Sequence, residues 1–471
     1  MADSPLFAPL SAPIVRPMRW IGLALSVLLA AIGAGLGFAQ AIPAQYVIFT
    51  TAATFALALW LWNGFFVRWV AETSQRSLAA AHKSGRSQSA QGALRGFIAS
   101  NKGVFAGIVI LIVGFAIFSV MLPGFLTWLN LFTALFLAAA LVFTTLASRA
   151  FGDNRSAFIG LMVLGTMFVV ASLHVAGFLS GANIKSMLVF ASFLGLATVG
   201  QTLVALLGGL DLSIPFVIGS SNVGLLYLIG VGIPSPIAVI MILLSGALIG
   251  LLNGILSFPL QGQALIVTLG VGFASSGLTQ ILTSIGSAFA GNVFGKVPRW
   301  LSNVAAMNGV TFGLQIPPVI FVWIIVAAGL IFAMKNTVYG RYLYALGGNR
   351  TSAQRIRISQ RRYWWGAFAI SGFASAMTGS LLLGWSGGGF IGVGDPYLFM
   401  TLSAVVIGGT SLLGGQGGYG FTVIGVLVLQ VLTAFLVGIG LKYEWQQFIY
   451  GLLIVPMVAL YARSPHIRTQ I

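Results

Sequence analysis

The sequence predicts an all-α polytopic membrane protein with about fourteen transmembrane helices. Three observations carry that expectation. Hydrophobic residues make up 58% of the 471 positions and charged residues 6%, whereas soluble domains carry about a quarter charged residues. Apolar stretches of roughly 20 residues recur along the whole length, each long enough to cross the hydrocarbon core. Finally, the basic residues gather in alternate connections. Arg68, Arg76, Lys83, Arg86, Arg95 and Lys102 share one, and Lys335, Arg341, Arg350, Arg355, Arg357, Arg361 and Arg362 share another. That alternation is the positive-inside pattern, which orients helices against the cytoplasmic leaflet.

In chain order, apolar spans fall near 19–39, 46–67, 103–122, 128–148, 157–176, 186–207, 213–232, 236–257, 264–284, 317–334, 363–384, 396–413, 419–440 and 444–461. The first has a basic flank, Arg16 and Arg19, and Ala39-Gln40-Ala41 resembles a signal cleavage site. Its apolar stretch outruns the usual signal core and a second span follows at once, so it is read as a retained helix. Residues 71–102 are rich in Ser, Gln, Ala and Gly with scattered basic residues. They read as a linker or as a basic amphipathic segment on the membrane surface. The expected organisation is a helix pair at 1–70, the cytoplasmic segment at 71–102, a second pair at 103–156 and a core at 157–471. With both termini cytoplasmic, the loops at 68–102, 149–156 and 335–362 lie inside. The connection at 285–316 then lies outside, with only Lys296 and Arg299 as basic residues. A short echo between Pro123–Leu131 and Ala176–Ile184 is compatible with partial duplication.

Several classes of function are excluded. There is no cysteine, so disulfides and thiolate metal sites are absent. His82, His174 and His466 lie far apart and lack metal-ligand spacing. The net charge of +17 follows topology, and no basic run carries the aromatic context of a nucleic-acid site. No paired carboxylates, nucleophile elbow or zinc-protease signature occurs. Gly291–Lys296 approaches a phosphate-binding loop, but Val297 stands where Ser or Thr would hold magnesium. No catalytic, cofactor-binding or metal-binding residue is expected in this chain, and ATP hydrolysis would require another polypeptide.

Three glycine-rich polar stretches interrupt the apolar pattern: Gly208–Ser213, Gly340–Asn349 and Gly408–Gly415. Irregular backbone at membrane depth survives only where protein or water satisfies its amides and carbonyls. These stretches are either helix breaks facing a cavity or partner, or short turns closed by glycine. Asp211 is one of six acidic residues in the chain, and a carboxylate in apolar surroundings faces protein or water rather than lipid. It is expected to cap the following helix, its carboxylate accepting amide hydrogens near Ser213. Gln201, Asn222, Asn253, Thr268 and Gln280 are the polar side chains inside spans; each is an interhelical hydrogen bond or a pathway contact. Gly250 with Gly254, and Gly384 with Gly388, have the spacing of helix-packing pairs.

These stretches resemble the membrane permeases of bacterial ABC importers for monosaccharides, of the ribose, xylose and galactose type, related to branched-chain amino-acid permeases. GQTLVALLGGLDLSIPFVIG at 200–219 resembles the family's GLDLS-type signature, and ALIVTLGVGFASSGL at 264–278 a second characteristic helix. TVYGRYLYALGGNRTSAQRIRI at 337–358 resembles the cytoplasmic coupling loop, and IGGTSLLGGQGGYGFTVIG at 407–425 the late glycine-rich signature. The resemblance covers roughly 160–465 and implies a ten-helix permease core preceded by about four extra helices. It also implies a multi-pass inner-membrane location and lipid contact, and the distribution of basic residues already argues against a nucleic-acid partner. The partners would be a second permease copy or paralogue, two cytoplasmic ATPase subunits and a periplasmic substrate-binding protein.

Carried onto this chain, the ATPase coupling loop would present Gly340, Arg341, Gly347, Gly348, Asn349, Arg350, Arg355 and Arg357. Gly208, Gly209, Asp211, Ser213, Gly408, Gly409, Thr410, Gly414 and Gly415 would form the helix-break and gate signatures. Gln201, Asn222, Asn253 and Thr268 are the candidate pathway contacts. One departure is that Arg357-Ile358 stands where the family's loop ends in Gly-Ile. Arg350, Arg355 and Arg357 therefore suggest an acidic docking surface on the ATPase. Alternative readings are a branched-chain amino-acid or other small-solute permease of the same architecture, and a proton-coupled secondary transporter.

Overall fold

The computed structural model describes residues 127–148, 155–260, 264–284 and 291–451. The expected spans near 19–39, 46–67 and 103–122, the 71–102 segment, and most of the 444–461 span lie outside them. The chain divides into two compact units, Met1–Phe151 and Gly152–Ile471. The first contributes one described helix, α1 (Trp128–Ala147).

The second unit is a helical bundle. Its elements are α2 (Arg155–His174), α3 (Gly181–Leu206), α4 (Ile214–Gly230), α5 (Ser235–Ser257), α6 (Ala264–Ser284) and β1 (Asn292–Val293). There follow α7 (Arg299–Ala305), α8 (Pro318–Asn336), α9 (Val338–Gly348), α10 (Arg350–Arg355) and α11 (Gln360–Ser386). The last are β2 (Gly389–Phe390), a 3-10 turn (Ile391–Gly394), α12 (Tyr397–Gly408) and α13 (Tyr419–Gly438). Among the described residues, seven helices are long and apolar enough to cross a membrane, counting the 3-10 turn with α12. Shorter apolar helices occupy Leu129–Thr144, Phe158–His174 and Ile214–Gly230. The unit is a multi-pass helical bundle.

Helices α3 and α11 form its centre. From Ala191 to Leu206 every residue of α3 is buried, and α11 packs against α3, α4 and α5. Small residues set the closeness of these crossings. A Cβ on Gly250 of α5 would overlap the Phe368 carbonyl of α11, and one on Gly200 of α3 would overlap Ser371 of α11. Such contacts let backbones meet and gain dispersion where lipid offers no hydrophobic drive. Gly254 shares the α5 interface, with Trp365 Cα 3.0 Å from where its Cβ would stand. Gly384 packs on α7, but Gly388 lies beyond the end of α11 with open space around it, so the expected Gly384–Gly388 pair is not a packing pair.

Two boundaries differ from expectation for local reasons. The span drawn over 396–413 ends as α12 at Gly408, because Gly409 takes φ +98° and closes the helix. The Thr337–Ile358 loop is not irregular: it folds into α9 and α10. Thr337 starts α9 by accepting the Gly340 amide at 3.4 Å, and Asn349 starts α10 by accepting the Ser352 amide at 2.9 Å. Side-chain acceptors of this kind satisfy amides that a helix start leaves open. In the connection between α6 and α8, β1 pairs antiparallel with β2, matching Asn292 with Phe390. That placement removes the residual phosphate-loop reading of Gly291–Lys296.

Candidate functional site

The break between α3 and α4 is the starting point. Gly208 adopts φ +73°, a left-handed conformation that turns the chain out of α3. The following residues run without helix to Ser213, which opens α4 with Pro215 in its first turn. Asp211 sits in this break with 2% of its surface exposed. Its Oδ1 accepts the Ser213 amide at 2.9 Å and the Ser213 hydroxyl at 2.6 Å; its Oδ2 accepts the Ser371 hydroxyl at 2.6 Å. A carboxylate with three directed donors is held as an acceptor, and such charge-assisted bonds are the stronger kind. Asp211 is therefore not the helix cap expected from the sequence: the cap position is Ser213, and Asp211, two residues earlier, forms an Asx turn leading into α4.

The same knot draws in side chains from three other helices. Asn253 of α5 donates from Nδ2 to Ser213 Oγ at 2.8 Å. Thr268 of α6 accepts the Leu212 amide at 3.1 Å, and Gln201 of α3 accepts the Asp211 amide at 3.4 Å. Gly200 is what lets α11 come near enough for Ser371 to reach the carboxylate. Gln201 Nε2 and Asn253 Oδ1 remain buried without hydrogen-bond partners among the described residues. Asn222 is not part of this group. It donates to the Gly379 carbonyl at 3.2 Å and accepts the Phe390 amide at 3.0 Å, which ties α4 to α11 and β2.

A second junction lies just beyond Gly208, and here the three glycine stretches meet. The Leu206 carbonyl, at the end of α3, accepts the Gly415 amide at 2.9 Å. A Cβ on Gly347 of α9 would overlap that carbonyl and come within 2.5 Å of the Gly415 nitrogen. A Cβ on Gly414 would stand 2.9 Å from the Gly347 carbonyl and 3.1 Å from the Gly208 nitrogen. Backbone therefore packs on backbone, and only glycine fits. Tyr344 of α9 adds a bond from its hydroxyl to the Gly417 carbonyl at 2.8 Å. Within the 409–418 loop, Thr410 Oγ1 accepts the Gly418 amide at 3.1 Å, and Thr202 of α3 bonds to Thr422 of α13 at 2.9 Å. Gly408 packs on the Phe421 carbonyl, and Gly209 rests against Trp364 and Val204.

The remaining residues of the expected coupling loop divide into an inner and an outer set. Gly340 is buried against the Met334 carbonyl. Arg350 turns inward: its Nη2 donates to the Leu207 carbonyl at 2.7 Å, and its guanidinium lies over the Trp364 ring with 5.6 Å to the centroid. Burial pushes its pKa down, yet a guanidinium is so strong a base that it stays charged. Arg341, Gly348, Asn349, Arg355 and Arg357 are exposed.

Arg357 has φ +62°. Its amide bonds to Gln354 O at 2.9 Å and the Ile358 amide to Ala353 O at 3.1 Å, which is the Schellman closure of a helix. Glycine usually fills that left-handed position, so the departure from Gly-Ile noted in the sequence falls on a strained residue. Replacing Arg357 with Gly should stabilise the α10 turn by about 0.5–1 kcal/mol, the left-handed penalty outweighing the entropy of glycine. Amide exchange across 350–358 would report it; faster exchange in Arg357→Gly would show that no strain was relieved.

Sequence reasoning missed Ser371, Trp364, Tyr344 and Ser257, whose hydroxyl accepts the Trp364 Nε1 proton at 2.9 Å. The available signal was the run of small and hydroxyl residues from Ser371 to Ser380 in α11, dense enough to mark a helix crossed closely on several sides.

Residues 183–458 match the sequence profile of a family described as the permease component of the branched-chain amino acid transport system. The chain is 30% identical over 309 residues to the ribose import permease protein RbsC of Haemophilus influenzae, a match spanning 65% of this chain and 92% of that one. It is 31% identical over 281 residues to the fructose import permease protein FruG of Bifidobacterium longum, covering 59% and 82% of the two chains. To the autoinducer 2 import system permease protein LsrD of Yersinia enterocolitica it is 29% identical over 273 residues, covering 58% and 81%. No solved structure matches the chain.

Proposed function

Because the chain belongs to the family of permease components of the branched-chain amino acid transport system, we propose that it forms the translocation pathway of an ABC importer for a monosaccharide or related polyol. It is a component of a transporter rather than an enzyme. The family description speaks of amino acids, but the relatives named above import ribose, fructose and autoinducer 2, which favours a sugar-like cargo. The observation that carries the reading is the junction of Leu206–Gly208, Gly347–Arg350 and Leu413–Gly415. It joins the helix-break signature, the coupling loop and the late glycine signature in one place. A force applied at α9 and α10 is thereby delivered to the end of α3.

In this reading the protein sits in the bacterial inner membrane with cytoplasmic termini and about fourteen helices, the front four lying outside a ten-helix core. Its domains are those expected at 1–70, 71–102, 103–156 and 157–471. A second permease subunit completes the pathway, two ATPase subunits dock on the 335–362 loop, and a periplasmic binding protein delivers cargo. Asp211 shapes the break rather than touching the cargo, since both of its oxygens are held by Ser213 and Ser371, while Gln201, Asn222, Asn253 and Thr268 remain the candidate pathway contacts.

The test is co-reconstitution with the ATPase and binding protein in vesicles, expecting uptake that requires ATP and binding protein. Uptake by this chain alone, driven by a proton gradient, would overturn the proposal. Ligand class is read by thermal shift of the binding protein against pentoses, hexoses, polyols and branched-chain amino acids, because a specific ligand stabilises the folded state by mass action. A shift with amino acids only would move the cargo assignment to that class.

The exposed cations supply a further prediction. Arg355 and Arg357 flank Ile356, which is 69% exposed, and form a basic tip with an apolar centre. Reversing both to Glu should weaken ATPase co-purification about tenfold, as like-charge juxtaposition does at rim positions. Unchanged association at low and physiological salt would remove the acidic docking surface from the scheme.

A further inference from the structure

We propose that Arg350 is a positioning residue that couples the ATPase-facing helices to the α3–α4 break, acting as an internal strap rather than as a docking cation. The inference rests on the import-permease reading given above. Its basis is the direction of the side chain. Arg350 is the first residue of α10, and its neighbours Thr351 and Ser352 are exposed. Its own guanidinium runs back into the bundle, where Nη2 meets the Leu207 carbonyl at 2.7 Å.

Leu207 is the residue at which α3 ends. The last carbonyls of a helix lack intrahelical donors and carry the negative end of its dipole, so a cation placed there binds both the free acceptor and the dipole. The other face of the guanidinium lies over Trp364, which is fully buried and anchored to Ser257 at the end of α5. Gly208 Cα lacks a side chain at the point where a Cβ would stand 3.2 Å from Arg350 Nη2. One planar side chain thus touches the ends of α3 and α11 and rests on the ring that is tied to α5. Displacing α10 must either carry Leu207 and Gly208 with it or break a charge-assisted bond.

Lysine would not reproduce this arrangement. It keeps the charge but lacks the planar fork that bonds and stacks at the same time. That difference separates a strap from a docking cation, which lysine would replace.

The experiment compares wild type, Arg350→Ala and Arg350→Lys in the full reconstituted complex, measuring ATPase co-purification and the amount of cargo imported per ATP hydrolysed. The strap predicts that ATPase association persists in both variants. In Arg350→Ala, import per ATP falls about tenfold, the scale of losing one hydrogen bond to a charged group; Arg350→Lys falls in between. If alanine prevents membrane insertion, the lysine variant decides alone. Unchanged import per ATP in Arg350→Ala overturns the proposal. So does loss of the ATPase from the complex, or full recovery in Arg350→Lys, since both assign the residue to docking. Absence of ATP-driven uptake in the wild-type complex sinks the import-permease reading instead, so the two failures are distinct.

Discussion

Replacing Asp211 with Leu is expected to abolish uptake and to lower stability by roughly 3–6 kcal/mol, whereas Asn should cost about 1 kcal/mol or less. The difference follows from the donors around the carboxylate. The Ser213 amide, the Ser213 hydroxyl and the Ser371 hydroxyl all point at it, at 2.9, 2.6 and 2.6 Å. Leucine fills much of the space but accepts nothing, and a buried donor without an acceptor carries the full desolvation penalty. Asparagine keeps Oδ1 for both Ser213 donors. Its amide nitrogen then faces Ser371, whose hydroxyl can rotate from donor to acceptor. Thermal unfolding in detergent separates the two variants, and uptake should follow the same order. Equal loss of uptake in both, with folding retained by Asn, would show that the charge itself is used and would end the structural reading of Asp211.

Gly347→Ala should sharply reduce transport while its neighbour Gly348→Ala leaves transport intact. A methyl at Gly347 overlaps the Leu206 carbonyl and approaches the Gly415 nitrogen to 2.5 Å, so it lands in the middle of the Leu206–Gly415 hydrogen bond. Backbone on both sides cannot rotate away as a side chain could, and overpacking of a rigid contact costs about 1–3 kcal/mol locally. The expected consequence is a separated junction in a folded bundle, with roughly a five- to hundredfold loss of ATP-dependent uptake, the change in the joined population that such an energy produces. At Gly348 a Cβ meets nothing within 4 Å, and Ala there gains helix propensity. Wild-type uptake by Gly347→Ala would show that the junction does not carry motion.

Much of the bundle was legible because apolar length is a strong signal. Spans drawn at 236–257 and 264–284 coincide with Ser235–Ser257 and Ala264–Ser284. What failed was short or conformational. Helix α7 and the α9–α10 pair are too brief or too polar to register as apolar spans. The 396–413 span overran because hydropathy continues through Leu412 and Leu413, whereas the backbone has already turned at Gly409. The candidate site was legible in pieces. Gln201, Asn253 and Thr268 stood out as polar residues in apolar helices, and their side chains do meet the Asp211 break. Asn222 stood out equally and lies elsewhere, because polarity says that a partner exists but not which one. Ser371 did not register in hydropathy, since serine among alanine and glycine does not disturb it; only the density of small and hydroxyl residues from Ser371 to Ser380 marked the helix as closely crossed. The meeting of Gly208, Gly347 and Gly415 could not be read at all: positions this far apart in the chain carry no local periodicity.

The glycine junction also has a mechanical meaning. Side-chain interfaces have compliance, because rotamers can re-seat and absorb a small displacement before the load reaches the other side. Where the Leu206 carbonyl, Gly347 and Gly415 touch through main chain alone, there is no such slack. Close-packed atoms without torsional freedom transmit strain. The joint therefore behaves like a linkage without backlash: even a sub-ångström movement of α9 must move the end of α3 or separate the contact. An importer built around such a joint would switch between discrete positions, with no soft range between them.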